Sequence, residues 1–297
     1  MKHNAYIIAG PTASGKSDLA HRVAGALGGV VINCDSVQIY RGIENIAASP
    51  FAGRVVADNI DGVPYRLFSI LPLSQQISVA EYLTMARAQY DAAVSAGRPA
   101  IFVGGTGYYI NAILKGLSPL PDVSAENRAR AREMVAADID VARRMLPPDF
   151  RATDPQRVAR ALEVFLETGR HLSEYQSLPR VGAVCGAARR ILINPPVDVL
   201  RARIAARIPQ MISGGAMAEG QAIIDAGWDT RRAIGAEQVC QFLRGEISQQ
   251  ECVESWITRT NQYAKRQRTW FRTQFAADIE ICGVGASADI DAVIRDA

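Results

Sequence analysis

Eight residues near the start of the chain constrain its fold more than any other feature. Gly10-Pro11-Thr12-Ala13-Ser14-Gly15-Lys16-Ser17 reads G-x-x-x-x-G-K-S. Before it stands a short apolar run over 5–10, which reads as a buried strand, and after it a helical run over 18–27. Strand, glycine loop and helix is the setting in which this pattern binds phosphate. The glycines allow positive φ and let the backbone approach a ligand closely. Successive N–H groups and the helix N-terminus then surround an anion. Lys16 adds a point charge for the terminal phosphates, and the Ser17 hydroxyl can ligate Mg²⁺. The pattern predicts a di- or triphosphate ligand. By itself it does not say that the ligand is a nucleotide.

The next segments extend the same architecture. Residues 30–34 read as a second strand ending at Asp35-Ser36. Residues 78–96 carry apolar positions at helical spacing, with Arg98-Pro99 as the stop. Residues 100–103 form a third strand, followed at once by Gly104-Gly105-Thr106-Gly107. Alternating strands and helices imply right-handed crossovers and a parallel sheet. All three strands end in polar or glycine-rich turns, and that carboxyl edge is where open α/β sheets bind ligands.

After Ser118-Pro119-Leu120-Pro121-Asp122 the texture changes. Residues 124–145 and 154–168 read as Ala/Arg/Glu-rich helices, the second opened by Asp154 as N-cap and Pro155 at its first position. Residues 189–194 read as a strand returning to the sheet. Most of the remainder to about 275 is helical, with a strand-like tail at 278–282. The expected fold class is α/β: a P-loop NTPase-like parallel sheet flanked by helices. Residues 1–118 and 189–297 form that core, and 119–188 form an all-helical insertion.

Composition narrows the classes. The chain has 297 residues, 48% apolar and 21% charged, close to globular averages, which excludes collagen, coiled coil and wholesale disorder. No apolar run reaches the roughly 18 residues of a membrane span, and no membrane association is expected. No signal-peptide pattern is read at the start. Five scattered cysteines without a Cys-x-x-Cys pair argue against a disulfide frame or zinc site and suit a reducing cytoplasm. The net charge of +3 says little, but 29 of the 33 basic residues are Arg, clustered from Arg128 onward. Arginine favours bidentate phosphate contacts, so a polyanionic partner is one reading, and ordinary solvated helix faces are the other.

Three further blocks narrow the function: Asp35-Ser36-Val37-Gln38-Ile39-Tyr40-Arg41, Val103-Gly104-Gly105-Thr106-Gly107-Tyr108-Tyr109, and Asp154-Pro155-Gln156-Arg157-Val158-Ala159-Arg160-Ala161-Leu162-Glu163. With the glycine loop and the late Ala264-Lys265-Arg266-Gln267-Arg268-Thr269-Trp270-Phe271-Arg272, the set resembles the tRNA dimethylallyltransferases. The resemblance runs in order from about residue 5 to 272. It implies transfer of a dimethylallyl group from dimethylallyl diphosphate to the exocyclic N6 of the adenine on the 3′ side of the anticodon. The tRNAs concerned are those reading codons that begin with U. Diphosphate is released, and the glycine loop holds the diphosphate of the prenyl donor.

The resemblance also implies roles. Asp35 takes the proton of the attacking amine as general base; by position alone it reads equally as an Mg²⁺ ligand or a helix N-cap. Gly10, Pro11, Thr12, Ala13, Ser14, Gly15, Lys16 and Ser17 bind the diphosphate, with Arg203 or Arg207 neutralising the leaving group and Mg²⁺ at Ser17. Thr106 joins Lys16 and Asp35 in catalysis, through the bridging oxygen or the substrate; on residues alone it is also an ordinary N-cap. Asp35, Ser36, Val37, Gln38 and Thr106 select the base, Gln38 having the amide geometry to read an adenine edge. Arg128, Ala159, Arg160, Ala161, Leu162 and Glu163 contact the anticodon stem-loop from the insertion. Trp270 and Phe271 are an aromatic pair of a kind more often found in a core than in a stacking platform. A monomer in the cytoplasm is expected.

Two stretches depart from the pattern. Where such proteins carry Gly-Thr-Ala-Lys-Pro, this chain has Ile46-Ala47-Ala48-Ser49-Pro50. Gly235-Ala236-Glu237-Gln238 lacks an aromatic and a basic residue expected there. Neither touches Lys16, Asp35 or Thr106. The competing readings are a P-loop small-molecule or nucleoside kinase, a prenyltransferase acting on free adenylate, a GTPase-like switch and a non-catalytic RNA adaptor. The kinase shares the loop but not the Asp-Ser-x-Gln block. The adenylate enzymes are usually smaller and lack a large insertion. No Asn-Lys-x-Asp supports a switch, and intact Lys16, Ser17, Asp35 and Thr106 argue against an inactive adaptor.

Overall fold

The computed structural model describes residues 3–295. Strand β1 (Ala5–Ala9) runs into the glycine loop, and helix α1 (Lys16–Leu27) leaves it. Next come β2 (Val30–Asn33) and a hairpin of β3 (Asn59–Ile60) and β4 (Val63–Arg66). Helix α2 (Val79–Ser95), β5 (Ala100–Gly104) and α3 (Gly107–Lys115) follow. Four helices come after them: α4 (Ala125–Ala137), α5 (Ile139–Arg143), α6 (Pro155–Thr168) and α7 (Leu172–Gln176). β6 (Arg189–Ile193) and α8 (Val197–Met211) lead through a π-type turn at Ile212–Ala216 to α9 (Met217–Asp225). The remaining elements are α10 (Ala236–Leu243), α11 (Gln249–Gln274), β7 (Ile279–Ile281) and α12 (Ile290–Ile294). None of the helices, among the described residues, is long and apolar enough to cross a membrane.

The chain divides into two compact units. One joins the residues up to Leu114 with those from Val184 onward; the other is Lys115–Ala183. The first holds a seven-stranded sheet in the order β3-β4-β2-β5-β1-β6-β7, parallel except for the β3–β4 hairpin. Every residue of β1, β2 and β5 is buried. Strands covered on both faces need such continuous apolar runs. β5 lies between β1 and β2, with Ala100 level with both Ala5 and Val30. The three strand ends therefore open side by side, and the glycine loop, Asp35 and Thr106 emerge from neighbouring strands.

Their approach is close. A Cβ placed on Gly104 would stand 2.0 Å from the Cys34 carbonyl oxygen, a backbone atom at the centre of the sheet. We expect Gly104→Ala to cost about 3 kcal/mol, the upper end of ordinary overpacking. Thermal unfolding checks this, with an expected fall in Tm of roughly 6–12 °C.

The second unit is helical. Its core is Ala131, Val135, Ala142, Leu146, Val158, Ala159, Ala161 and Leu162. α6 is opened by Asp154, whose side chain accepts from the Arg157 N–H, with Pro155 in the first turn. Two expectations are corrected here. The helix expected over 124–145 breaks at Asp138, which is extended (φ −160°) and uses its carboxylate to cap α5 at Asp140 and Val141. The unit also begins and ends about four residues earlier than 119–188. The Leu117 and Val181 backbones bond each other twice, at 2.9 Å each, and so belong together. Beyond them the Val184 N–H donates to the Ile113 carbonyl of the sheet unit.

Candidate active site

The glycine loop wraps an anion-sized cradle. Ala13 (φ 64°) and Gly15 (φ 84°) both take left-handed conformations. A non-glycine residue held there points to local strain at a functional turn. α1 starts at Lys16 with Gly15 as its cap and no capping side chain. Its first-turn amides, at Lys16, Ser17 and Asp18, are the donors that a helix N-terminus leaves for a ligand. Thr12, Ala13, Gly15, Lys16, Ser17 and Asp18 line a cleft of about 940 Å³ with Asp35, Ser36, Val37 and Gln38. Of the loop, Ser14 is fully buried, and its hydroxyl has no partner. Gly10 packs under it, where a Cβ would meet the Ile193 carbonyl at 2.5 Å. Pro11 is also buried.

Asp35 is fixed by the residue two before it. The Asn33 side chain accepts from the Asp35 N–H at 2.8 Å and donates to the Asp35 carbonyl at 3.0 Å. The carboxylate Oδ1 accepts from the Val37 N–H at 3.0 Å. The Thr106 hydroxyl accepts from the Ser36 N–H at 3.0 Å and lies 3.3 Å from the Ser36 hydroxyl. The turns after β2 and β5 are thus pinned together at Ser36 and Thr106.

Both arginines of α8 reach the loop. Arg203 Nε donates to the Ala13 carbonyl at 2.8 Å, and Arg207 donates to the Thr12 hydroxyl at 2.9 Å. The Arg207 Nε is buried without a partner. Burial pushes the Arg207 guanidinium down to about 10, with Arg203 adding repulsion. Burial likewise lowers the Lys16 ammonium to about 8; Asp35 opposes this and Arg207 adds to it. Three cations facing one cradle raise each other's cost until an anion sits among them. The arrangement suits a polyanion such as a diphosphate.

No cluster of three or more His, Cys, Asp and Glu suited to a metal occurs among the described residues. That donor set still fits Mg²⁺, which keeps most of its waters and binds through one or two protein oxygens plus phosphate. Ser17 and Asp18 line the same cleft as the cradle.

The far wall is α11, where Trp256, Thr260, Tyr263 and Gln267 share one face and line the cleft. The spacing of these four residues is the signal sequence reading passed over. Burial raises the Tyr263 phenol well above its ordinary value; Asp35 adds to this, and Gln267 and Thr106 oppose it. Of the aromatic pair, Phe271 is core at 2% exposed, while Trp270 is half-buried and packs over Gly107.

Two sequence-based assignments are corrected. Gln38 is buried, and its amide nitrogen donates to the carbonyls of Ala47 and Ala48 at 3.2 and 3.1 Å, so it props the 46–49 turn instead of presenting a free edge to adenine. Glu219 grips that turn from the other side, accepting from the Asn45 and Ile46 N–H groups at 2.7 and 2.8 Å. In the helical unit, Ala159, Ala161 and Leu162 are buried in its core, and Glu163 is buried and paired with Arg160 at 3.0 Å. Of that run, only Arg160 keeps a substantial share of its side chain in solvent. Arg128 is exposed on α4.

Comparison with known proteins agrees with this geometry. The family described as IPP transferase matches residues 38–274, and that described as isopentenyl transferase matches 3–64. A tRNA dimethylallyltransferase of Rhodospirillum rubrum is 39% identical over 92% of this chain and 86% of its own. One from Sphingopyxis alaskensis is 39% identical over 90% and 89%. Among solved structures, a tRNA isopentenylpyrophosphate transferase of Bacillus halodurans superposes with a TM-score of 0.67 at 28% identity, covering 99% of this chain and 94% of the other. A Staphylococcus epidermidis tRNA delta(2)-isopentenylpyrophosphate transferase gives 0.66 at 25%, covering 98% and 96%.

Proposed function

The chain belongs to the IPP transferase family, and we propose that it transfers the dimethylallyl group of dimethylallyl diphosphate to N6 of an adenine in tRNA. The acceptor we assign is the adenine 3′ of the anticodon in tRNAs reading codons that start with U. The observation that carries the reading is the meeting in one cleft of a cationic cradle after β1 with a carboxylate after β2, the two strands that flank β5.

The step follows from what these residues can hold. An adenine amine is a weak nucleophile, because its lone pair is delocalised into the ring. Asp35 accepts a hydrogen bond from N6–H and takes the proton as the bond from N6 to C1 of the prenyl group forms. The C1–O bond breaks, and its electron pair leaves with diphosphate. Lys16, Arg203, Arg207 and the loop amides neutralise the charge that develops there. Thr106 directs its hydroxyl at the bridging oxygen. The Ser17 hydroxyl would hold Mg²⁺, which when bound would supply further charge neutralisation on the diphosphate.

An acceptor in a loop suits this site. Extruding a base costs least where it is already unpaired. Arg128 and Arg160 supply phosphate contacts to the anticodon stem-loop from the helical unit. A cleft lined by one chain is compatible with a monomer, and a tRNA substrate supports a cytoplasmic site of action.

The test is a transfer assay with labelled dimethylallyl diphosphate, Mg²⁺ and an anticodon stem-loop carrying adenines after the anticodon, with AMP and ATP in parallel. Label on the stem-loop alone is expected. Label on AMP or ATP moves the protein to the free-nucleotide prenyltransferases. No label, with ATP bound tightly or hydrolysed, promotes the kinase reading.

A further inference from the structure

We propose that Gln267 is a positioning residue that ties the phosphate loop to the turn after β5 and so sets the spacing between prenyl donor and acceptor base. The inference rests on the prenyl-transfer reading above.

Gln267 is 6% exposed on the inner face of α11. Its Oε1 accepts from the Thr12 N–H at 2.8 Å, and its Nε2 donates to the Gly105 carbonyl at 2.9 Å. One side-chain amide thus joins the loop after β1 to the turn after β5. The fit is close: a Cβ on Gly105 would stand 2.3 Å from Nε2. A primary amide offers a donor and an acceptor side by side in one planar group.

The bridge has a substrate side at each end. On one end, the Thr12 hydroxyl receives the Arg207 guanidinium, so the Thr12 backbone and the leaving-group cation move together. On the other, Gly105 precedes Thr106, whose hydroxyl holds the Ser36 amide beside Asp35. Both polar ends of Gln267 are engaged by protein, so it acts on the reaction through its neighbours. Holding two reactants in line supplies much of the rate of a bimolecular step, and a misplacement of about 1 Å can cost on the order of 10²-fold. The loss therefore belongs in kcat, with binding of each substrate largely retained.

Transfer kinetics are measured for the wild type, Gln267→Leu and Gln267→Glu. Calorimetry gives pyrophosphate affinity, and stem-loop affinity is measured separately. Gln267→Leu removes both bonds. Gln267→Glu keeps the shape and the acceptor for Thr12 but sets an oxygen against the Gly105 carbonyl, and thermal unfolding checks that it folds. We expect kcat to fall about 10²-fold in the first and about tenfold in the second, with both affinities within about threefold of wild type. Unchanged kcat in both Gln267 variants overturns the proposal, as does a loss of pyrophosphate or stem-loop affinity as large as the loss in kcat. A wild type that transfers no label overturns the functional reading itself, a different result from an active wild type matched by its variants.

Discussion

Asp35→Asn should lower prenyl transfer to the stem-loop by about 10²–10⁴-fold while leaving pyrophosphate binding nearly intact. The substitution is close to isosteric. Asn33 holds the backbone of residue 35, and an Asn at 35 keeps an oxygen to accept from the Val37 N–H, so the turn should keep its shape. What disappears is a group able to take the N6 proton, and positioned general bases contribute about 10²–10⁴-fold. The binding side follows from charge. Asp35 supports the Lys16 cation, so its loss weakens that cation, but it also removes a negative charge beside an incoming anion. The two effects oppose each other. Asp35→Ala should behave alike, with calorimetry on pyrophosphate and the transfer assay read side by side. Loss of both functions together would mean that Asp35 holds the fold or a metal, and would sink its role as base.

The strands, the phosphate loop and the chemistry at three strand ends were legible because each rests on local pattern. A fully buried parallel strand must be an apolar run, and Ala5–Ala9, Val30–Asn33 and Ala100–Gly104 are such runs. The β3–β4 hairpin escaped notice although Asp61-Gly62 signals it: both residues have positive φ, as a two-residue hairpin turn requires. Its strands are only two and four residues long, too short to show a period. The partners of Gln38 and Gln267 could not be read at all. Each side chain is an amide that can face a ligand or the backbone, and only the fold brings Ala47, Thr12 and Gly105 to them. The insertion shows the opposite error. A run shared with a family reads as a contact surface, but a helix carries its core stripe and its exposed face in the same motif. In α6, Ala161 and Leu162 belong to the core, and Arg160 to the face.

Lys16 carries the second large effect. Lys16→Met should weaken dimethylallyl diphosphate binding on the order of 10²–10³-fold, the scale of losing one preorganised charged donor from a water-poor site. Its pH dependence gives a sharper test. Burial brings the Lys16 ammonium from its ordinary 10.5 to about 8 in the free protein. A bound diphosphate favours the cation and raises that value again. Affinity should therefore be flat below about pH 8 and fall by about tenfold per pH unit above it, as binding must draw a proton. The ligand does not mask this, because a terminal phosphate titrates near pH 6. In Lys16→Met the profile should be flat across the same range, until Arg207 begins to titrate at about 10. Stability runs the other way. Between about 8 and 10.5 the folded chain holds fewer protons at Lys16 than the unfolded chain, so this residue adds stability to the free protein as pH rises. Thermal unfolding followed at each pH separates this fall in affinity from alkaline unfolding. An affinity that stays level from pH 8 to 9.5 in the wild type would remove Lys16 from the diphosphate site.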